Sequence, residues 1–134
     1  MPLFSDRKSA APDHMPPPSL PLLALELRAP WEFAAVLPAW PVLQRAPLGD
    51  GHTVIVFPGL TAGDTTTLPL RRYLESRNYN TLGWGQGLNL GPREGVLENA
   101  KAQLQQAADA SGNKVSLVGW SLGGIYAREL AKEM

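Results

Sequence analysis

A chain of 134 residues is long enough for one domain with a core but small for a doubly wound fold, so one domain, or part of one, is expected. Its twelve basic and twelve acidic side chains cancel, and no basic stripe is present to gather phosphates, which argues against nucleic acid as a partner and gives no attraction to an anionic membrane surface. Cysteine is absent, excluding a disulfide framework and thiolate metal sites without fixing the compartment.

The first residues, MPLFSDRKSAAPDHMPPPSL, carry Arg7 and Lys8, but Asp13 and a cluster of prolines follow, and the apolar stretch from Leu20 to Leu25 is cut short by Glu26 and Arg28. That is a poor signal peptide. No apolar run approaches the ~18 residues of a membrane span, so a soluble, cytoplasmic protein is expected. Residues 1–19 hold too few apolar side chains to offset their ordering entropy and are expected to form a flexible tail. Over residues 20–48 the apolar density rises, with Trp31, Phe33, Val36, Leu37 and Trp40 roughly at helical spacing. Pro30 and Pro38 are expected to break this stretch into short helices whose use is to lie against the domain that follows. Most prolines precede Gly49 and every glycine lies at or after it, which marks a boundary there and a domain over 49–134.

From Thr53 the pattern becomes regular. Thr53-Val54-Ile55-Val56-Phe57 is a continuous β-branched run stopped by Pro58-Gly59, as in a strand buried on both faces of a parallel sheet. Thr65, Thr66 and Thr67 offer an N-cap, Pro69 suits a first turn, and Leu70, Tyr73 and Leu74 form an apolar stripe, which predicts a helix to about Arg77. Asn78 can take the left-handed position that ends it. Residues 79–82 form a weaker second strand, closed by Gly83-Trp84-Gly85-Gln86-Gly87. After Gly91-Pro92 a longer helix puts Leu97, Ala100, Leu104 and Ala107 on one face and ends at Gly112. Residues 114–118 make a third strand, and a last helix from Leu122 turns Leu122, Ile125 and Leu130 inward. Three strand-helix alternations imply right-handed crossovers and an α/β fold, a three-layer α/β/α arrangement around a parallel sheet with the first strand between the other two.

Between the third strand and the last helix stands Gly119-Trp120-Ser121-Leu122-Gly123-Gly124, a G-x-S-x-G in the strand-turn-helix context that gives this motif its meaning. A direct turn from parallel strand to helix strains the central residue and lifts its side chain above the C-terminal edge of the sheet. Glycines two residues to either side remove the Cβ atoms that would clash there. The helix N-terminus adds unpaired N–H groups and a positive dipole. The bland alternative makes Ser121 an ordinary N-cap and the glycines a loose turn.

On these residues the stretch from about Gly51 onward resembles the α/β-hydrolase superfamily, bacterial esterase-like or lipase-like members in particular. The resemblance rests on the elbow, on the first strand ending in Phe57-Pro58-Gly59-Leu60, and on Leu82-Gly83-Trp84-Gly85 followed by Asn89-Leu90-Gly91-Pro92. It covers about the first half of the family's usual domain. The resemblance implies Ser121 as nucleophile, the backbone N–H of Leu122 as one oxyanion donor, and that of Leu60 as the other, with Pro58-Gly59 where His-Gly is more familiar. It implies no cofactor and no metal. Trp84 and Trp120 stand at or near the edge where ligands bind in such sheets; they either line an acyl pocket or serve as core and shield.

The serine lacks its base. The family's histidine follows the serine in the chain, yet no histidine follows Ser121; His14 falls in the expected tail and His52 precedes the first strand. A five-residue strand separates the sheet edges by roughly 16 Å, beyond hydrogen-bond reach of Ser121. Asp64 lies at the right edge but is expected to cap or brace a loop. The helical pattern still runs at Met134, so a truncated chain is expected, with an unpaired edge on the third strand through which it self-associates. The leading expectation is hydrolysis of a small-molecule ester or lipid-like substrate, with the catalytic acid and histidine not in this chain. The alternative is a non-catalytic α/β fragment or pseudoenzyme that binds an apolar ligand or a partner chain.

Overall fold

The computed structural model describes residues 16–134, so most of the tail expected over 1–19 lies outside the described residues. Two compact units divide at Trp40 and Pro41. The first contains α1 (Leu20–Leu25), a 3-10 turn (Glu26–Arg28) and α2 (Ala29–Ala34), and α3 (Val36–Leu43) starts within it. Pro21 and Pro30 occupy the first turns of α1 and α2, where a missing N–H leaves no bond unmade. Pro38 does not break the chain as expected: it falls in the first turn of α3, which runs on through Pro41. None of these helices holds a buried residue.

The second unit alternates β1 (Thr53–Phe57), α4 (Asp64–Ser76), β2 (Asn80–Gly83), α5 (Val96–Ser111), β3 (Ser116–Gly119) and α6 (Leu122–Glu133). All pairings are parallel and the order is β2-β1-β3, with β1 in the centre as its five buried residues require. Ile55 and Phe57 point to one face and join Trp84, Ala100, Leu104, Tyr126, Ala127 and Leu130 in the core beneath α5 and α6. Val54 and Val56 alternate to the other face, on which α4 packs across β2 and β1. The result is a three-layer α/β/α arrangement.

Local departures from the expected pattern have local causes. Gly63 occupies the N-cap of α4; the Thr66 and Thr67 hydroxyls donate to the carbonyls of Gly63 and Asp64 instead of accepting from N–H groups. Pro69 lies one turn deeper than expected, inside the helix. Ile125 is exposed; the buried face of α6 is Gly123, Tyr126, Ala127 and Leu130, so Leu130 is inward and Leu122 partly buried against the core as expected, while Tyr126 takes the place given to Ile125. Asn78 (φ 70°) and Gly112 (φ 66°) take the left-handed positions at the ends of α4 and α5. The approach to β1 is tied to the end of α4: the Arg77 guanidinium donates to the carbonyls of Gln44 and Ala46, Tyr73 Oη donates to that of Leu43, and Gly49 N–H donates to that of Arg77.

Candidate active site

β3 ends at Gly119 and α6 begins at Leu122, leaving Trp120 and Ser121 to make the whole turn. Ser121 has φ 51° and ψ −120°, a conformation that L-residues rarely adopt and that costs of order 1–3 kcal/mol. It occupies the N-cap position, yet its hydroxyl makes no capping hydrogen bond and the residue is exposed. The ordinary N-cap alternative therefore fails: a capping serine has extended backbone and an engaged oxygen. The turn is closed by Gly123 N–H donating to Trp120 O (2.9 Å) and Gly124 N–H donating to Ser121 O (2.9 Å).

The flanking glycines are required by contact. A Cβ on Gly119 would stand 2.2 Å from the Gly123 carbonyl oxygen, and one on Gly123 would stand 2.3 Å from the Phe57 carbonyl oxygen. Both obstacles are backbone, which cannot swing aside. Gly59, just past β1, would meet Trp120 Cδ1 at 3.1 Å and Ser121 Cβ at 3.4 Å. The turn after β1 thus presses directly against the elbow. Leu60, the next residue, is on the same edge as Ser121, and neither Leu60 nor Leu122 donates its N–H to a backbone carbonyl among the described residues.

What shapes the turn after β1 is Asn89, a residue to which the sequence reading gave no role. It is wholly buried, and every polar group of it is engaged. Its Nδ2 donates to the Pro58 carbonyl (2.8 Å), its backbone oxygen accepts from Thr61 N–H (2.6 Å), and its N–H donates to the Ala62 carbonyl (2.7 Å). Oδ1 accepts from Tyr126 Oη (3.1 Å) and Gly91 N–H (3.2 Å). Thr61, held at φ 63°, is a second non-glycine residue in the left-handed region at this edge. Burial of Tyr126 pushes its hydroxyl pKa up, so it donates to Asn89 as a neutral phenol at ordinary pH.

No family model, curated protein or solved structure matches the chain. The chemistry must be read from the residues themselves. A strained, exposed serine at a helix N-terminus, with the Leu60 and Leu122 N–H groups at the same sheet edge and unpaired with backbone carbonyls among the described residues, has the makings of a nucleophile with oxyanion donors.

The remaining expected residues separate cleanly. Asp64, the first residue of α4, accepts from Trp84 N–H (2.9 Å) through Oδ1 and from Gly85 N–H (3.0 Å) through Oδ2, so its carboxylate braces the loop after β2. Trp84 is core, 3% exposed and stacked on Tyr126, with Nε1 donating to Gly87 O. Trp120 is 76% exposed beside the serine. His52 lies at the opposite edge: Nδ1 pairs with Asp50 Oδ1 (2.5 Å) and Nε2 with Ser116 Oγ (2.6 Å). This chain copies the bonding order of a Ser-His-Asp triad, but Ser116 belongs to regular strand, paired with Val54, and lacks a turn to present it. It ties the starts of β1 and β3 together. The hydrogen bonds from the His52 backbone N–H and then from its ring hold the Asp50 carboxyl below its ordinary value. His14 lies outside the described residues.

Proposed function

We propose that this chain carries the nucleophile of a serine esterase of the α/β-hydrolase kind, acting on a small-molecule ester or lipid-like substrate. The observation that carries the reading is Ser121 itself: a non-glycine residue at φ 51° between a parallel strand and a helix, with its hydroxyl uncapped and exposed. In the reaction Ser121 Oγ attacks the acyl carbon while a base takes its proton. The negative charge that develops on the carbonyl oxygen is received by the N–H groups of Leu60 and Leu122, and the positive end of α6 adds to the same field. The intermediate collapses, the alcohol leaves with the proton, and water releases the acid from the acyl-enzyme. No cofactor takes part. A cytoplasmic location fits the sequence and a reaction between soluble species.

The base must come from outside the described residues, since His52 is engaged at the far edge with Asp50 and Ser116. That same fact favours a second reading, a non-catalytic α/β domain whose exposed Trp120 contacts an apolar ligand or a partner chain. Acylation separates the two. Without added base, the chain is expected to hydrolyse p-nitrophenyl acetate barely above a buffer control, with Ser121→Ala changing little. With imidazole supplied, an acetyl group is expected on the peptide bearing Ser121, detected by mass spectrometry and lost in Ser121→Ala. No adduct at Ser121 even with imidazole sinks the esterase reading in favour of the binding domain. Rapid Ser121-dependent turnover without imidazole would reveal a base within the chain.

A further inference from the structure

The Leu60 N–H belongs to a short turn closed by one backbone hydrogen bond, from Ala62 N–H to Gly59 O (3.1 Å), with Thr61 Oγ1 donating to Leu60 O (2.6 Å). Leu60 is 56% exposed, and Thr61 beyond it is in a strained conformation. That closure bends Leu60-Thr61; what refers the turn to α6 is how its two ends are held. Asn89 fixes both: its side chain grips the Pro58 carbonyl on one side of Gly59-Leu60, and its backbone makes two reciprocal hydrogen bonds with Thr61 and Ala62 on the other. Through Oδ1 the same residue is bonded to Tyr126, on the helix whose first turn presents Ser121 and Leu122. One buried amide therefore refers the Leu60 peptide to the helix that carries the nucleophile.

We propose that Asn89 is the positioning residue of the oxyanion site, holding the Leu60 N–H in register with the Leu122 N–H above Ser121; the inference rests on the esterase reading of that serine. The chemistry demands this residue type. Asparagine supplies a donor for Pro58 O and an acceptor for Tyr126 and Gly91 at once, without charge, in a site that excludes water. Aspartate would set a carboxylate oxygen against the Pro58 carbonyl in the same buried site, and alanine would leave that carbonyl and the Tyr126 hydroxyl unpaired. Tyr126→Phe removes only one of the two bonds to Oδ1.

The test compares p-nitrophenyl acetate with its thiono analogue, in which sulfur replaces the carbonyl oxygen and accepts hydrogen bonds poorly. Acylation of Ser121 in the presence of imidazole is followed by mass spectrometry, with thermal unfolding of each variant alongside. An aligned pair of N–H donors favours the oxygen ester. Removing an oxyanion donor costs ~10²–10³ in rate, so displacing one in Asn89→Ala should lower oxygen-ester acylation about tenfold or more, with the thiono ester affected far less and the oxygen-to-sulfur preference falling towards one. Asn89→Asp should do the same. Tyr126→Phe should keep the fold and lower the preference by about twofold to threefold, the scale of one neutral hydrogen bond; this variant decides the matter if the Asn89 variants unfold. A preference unchanged in every folded variant, or a parallel fall for both esters, overturns the proposal and leaves Asn89 a purely structural residue. No adduct on Ser121 in the unsubstituted chain overturns the esterase reading, and the proposal with it.

Discussion

Ser121 is held in a backbone conformation it would not choose, and the strain has a measurable consequence. Glycine adopts positive φ without a Cβ clash, while alanine inherits the serine's strain. Ser121→Gly should relieve ~1–3 kcal/mol of strain and lose ~0.4–1 kcal/mol to the freer unfolded chain. A net stabilisation of about 1 kcal/mol in urea unfolding is expected, with Ser121→Ala near the unsubstituted value. Equal stabilities for glycine and alanine at this position would mean that the turn stores no strain. At the far edge, Asp50 makes a different prediction. Its carboxyl is depressed by the hydrogen bonds from His52, so the ionised form favours folding. That contribution is present above about pH 4, the ordinary aspartate range, and is lost as the pH falls through the lower folded value. The urea midpoints of the unsubstituted chain and Asp50→Ala should therefore differ at pH 7, and the gap should narrow as the pH falls below about 4; a gap that stays constant on acidification would sink the assignment.

Elements here are joined by side chains that satisfy backbone groups at strand and helix ends. The clearest is Asp64, which opens α4, where the helix dipole favours a negative charge, and accepts the N–H groups of Trp84 and Gly85 just past β2. The approach is so close that a Cβ on Gly83 would lie 2.5 Å from the Asp64 carboxyl carbon. Asp64→Ala should cost about 2 kcal/mol, the scale of hydrogen bonds to a charged group. Asparagine should not restore it, because its amide would face one of the two N–H groups with a donor of its own. Full rescue by asparagine, read from the urea midpoint, would show that the paired acceptors are unimportant. The loop Asp64 braces leads directly to Asn89, so the two polar residues support the candidate site from opposite ends of the segment 84–89.

For the whole molecule, the sheet order leaves β2 and β3 as the outer strands among those described. The β3 side carries Val118 at its edge, with Trp120 and Ile125 exposed nearby. Unpaired strand edges bordered by apolar side chains recruit further strands, and a three-stranded sheet supports only a small core. Sedimentation should show concentration-dependent association of the 134-residue chain, weakened by Val118→Lys, and a shallow urea transition. A monodisperse monomer with a steep cooperative transition would count against an open edge. Among the described residues no helix is long and apolar enough to cross a membrane.

What the sequence determined by itself is the part encoded in neighbouring residues. The run 53–57 had to be a central buried strand, because five consecutive apolar or β-branched residues have no polar face to turn outward. Gly119, Ser121 and Gly123 announced the strand-to-helix turn because its sterics act within five residues. Asp64 as a brace and His52 as a remote residue followed from which end of β1 each one flanks. Tertiary structure alone decided the rest. Asn89 entered the sequence reading only as part of the segment Asn89-Leu90-Gly91-Pro92, with no role of its own, because its meaning lies with Pro58 and Tyr126, 31 and 37 residues away along the chain. Which residue of the middle turn of α6 faces the core, Tyr126 and not Ile125, depends on the angle at which the helix leaves the strained turn, and helical periodicity carries no reference for that angle. Periodicity and turn chemistry are local and can be read along the chain; the satisfaction of a buried polar group is a property of whatever the fold brings beside it.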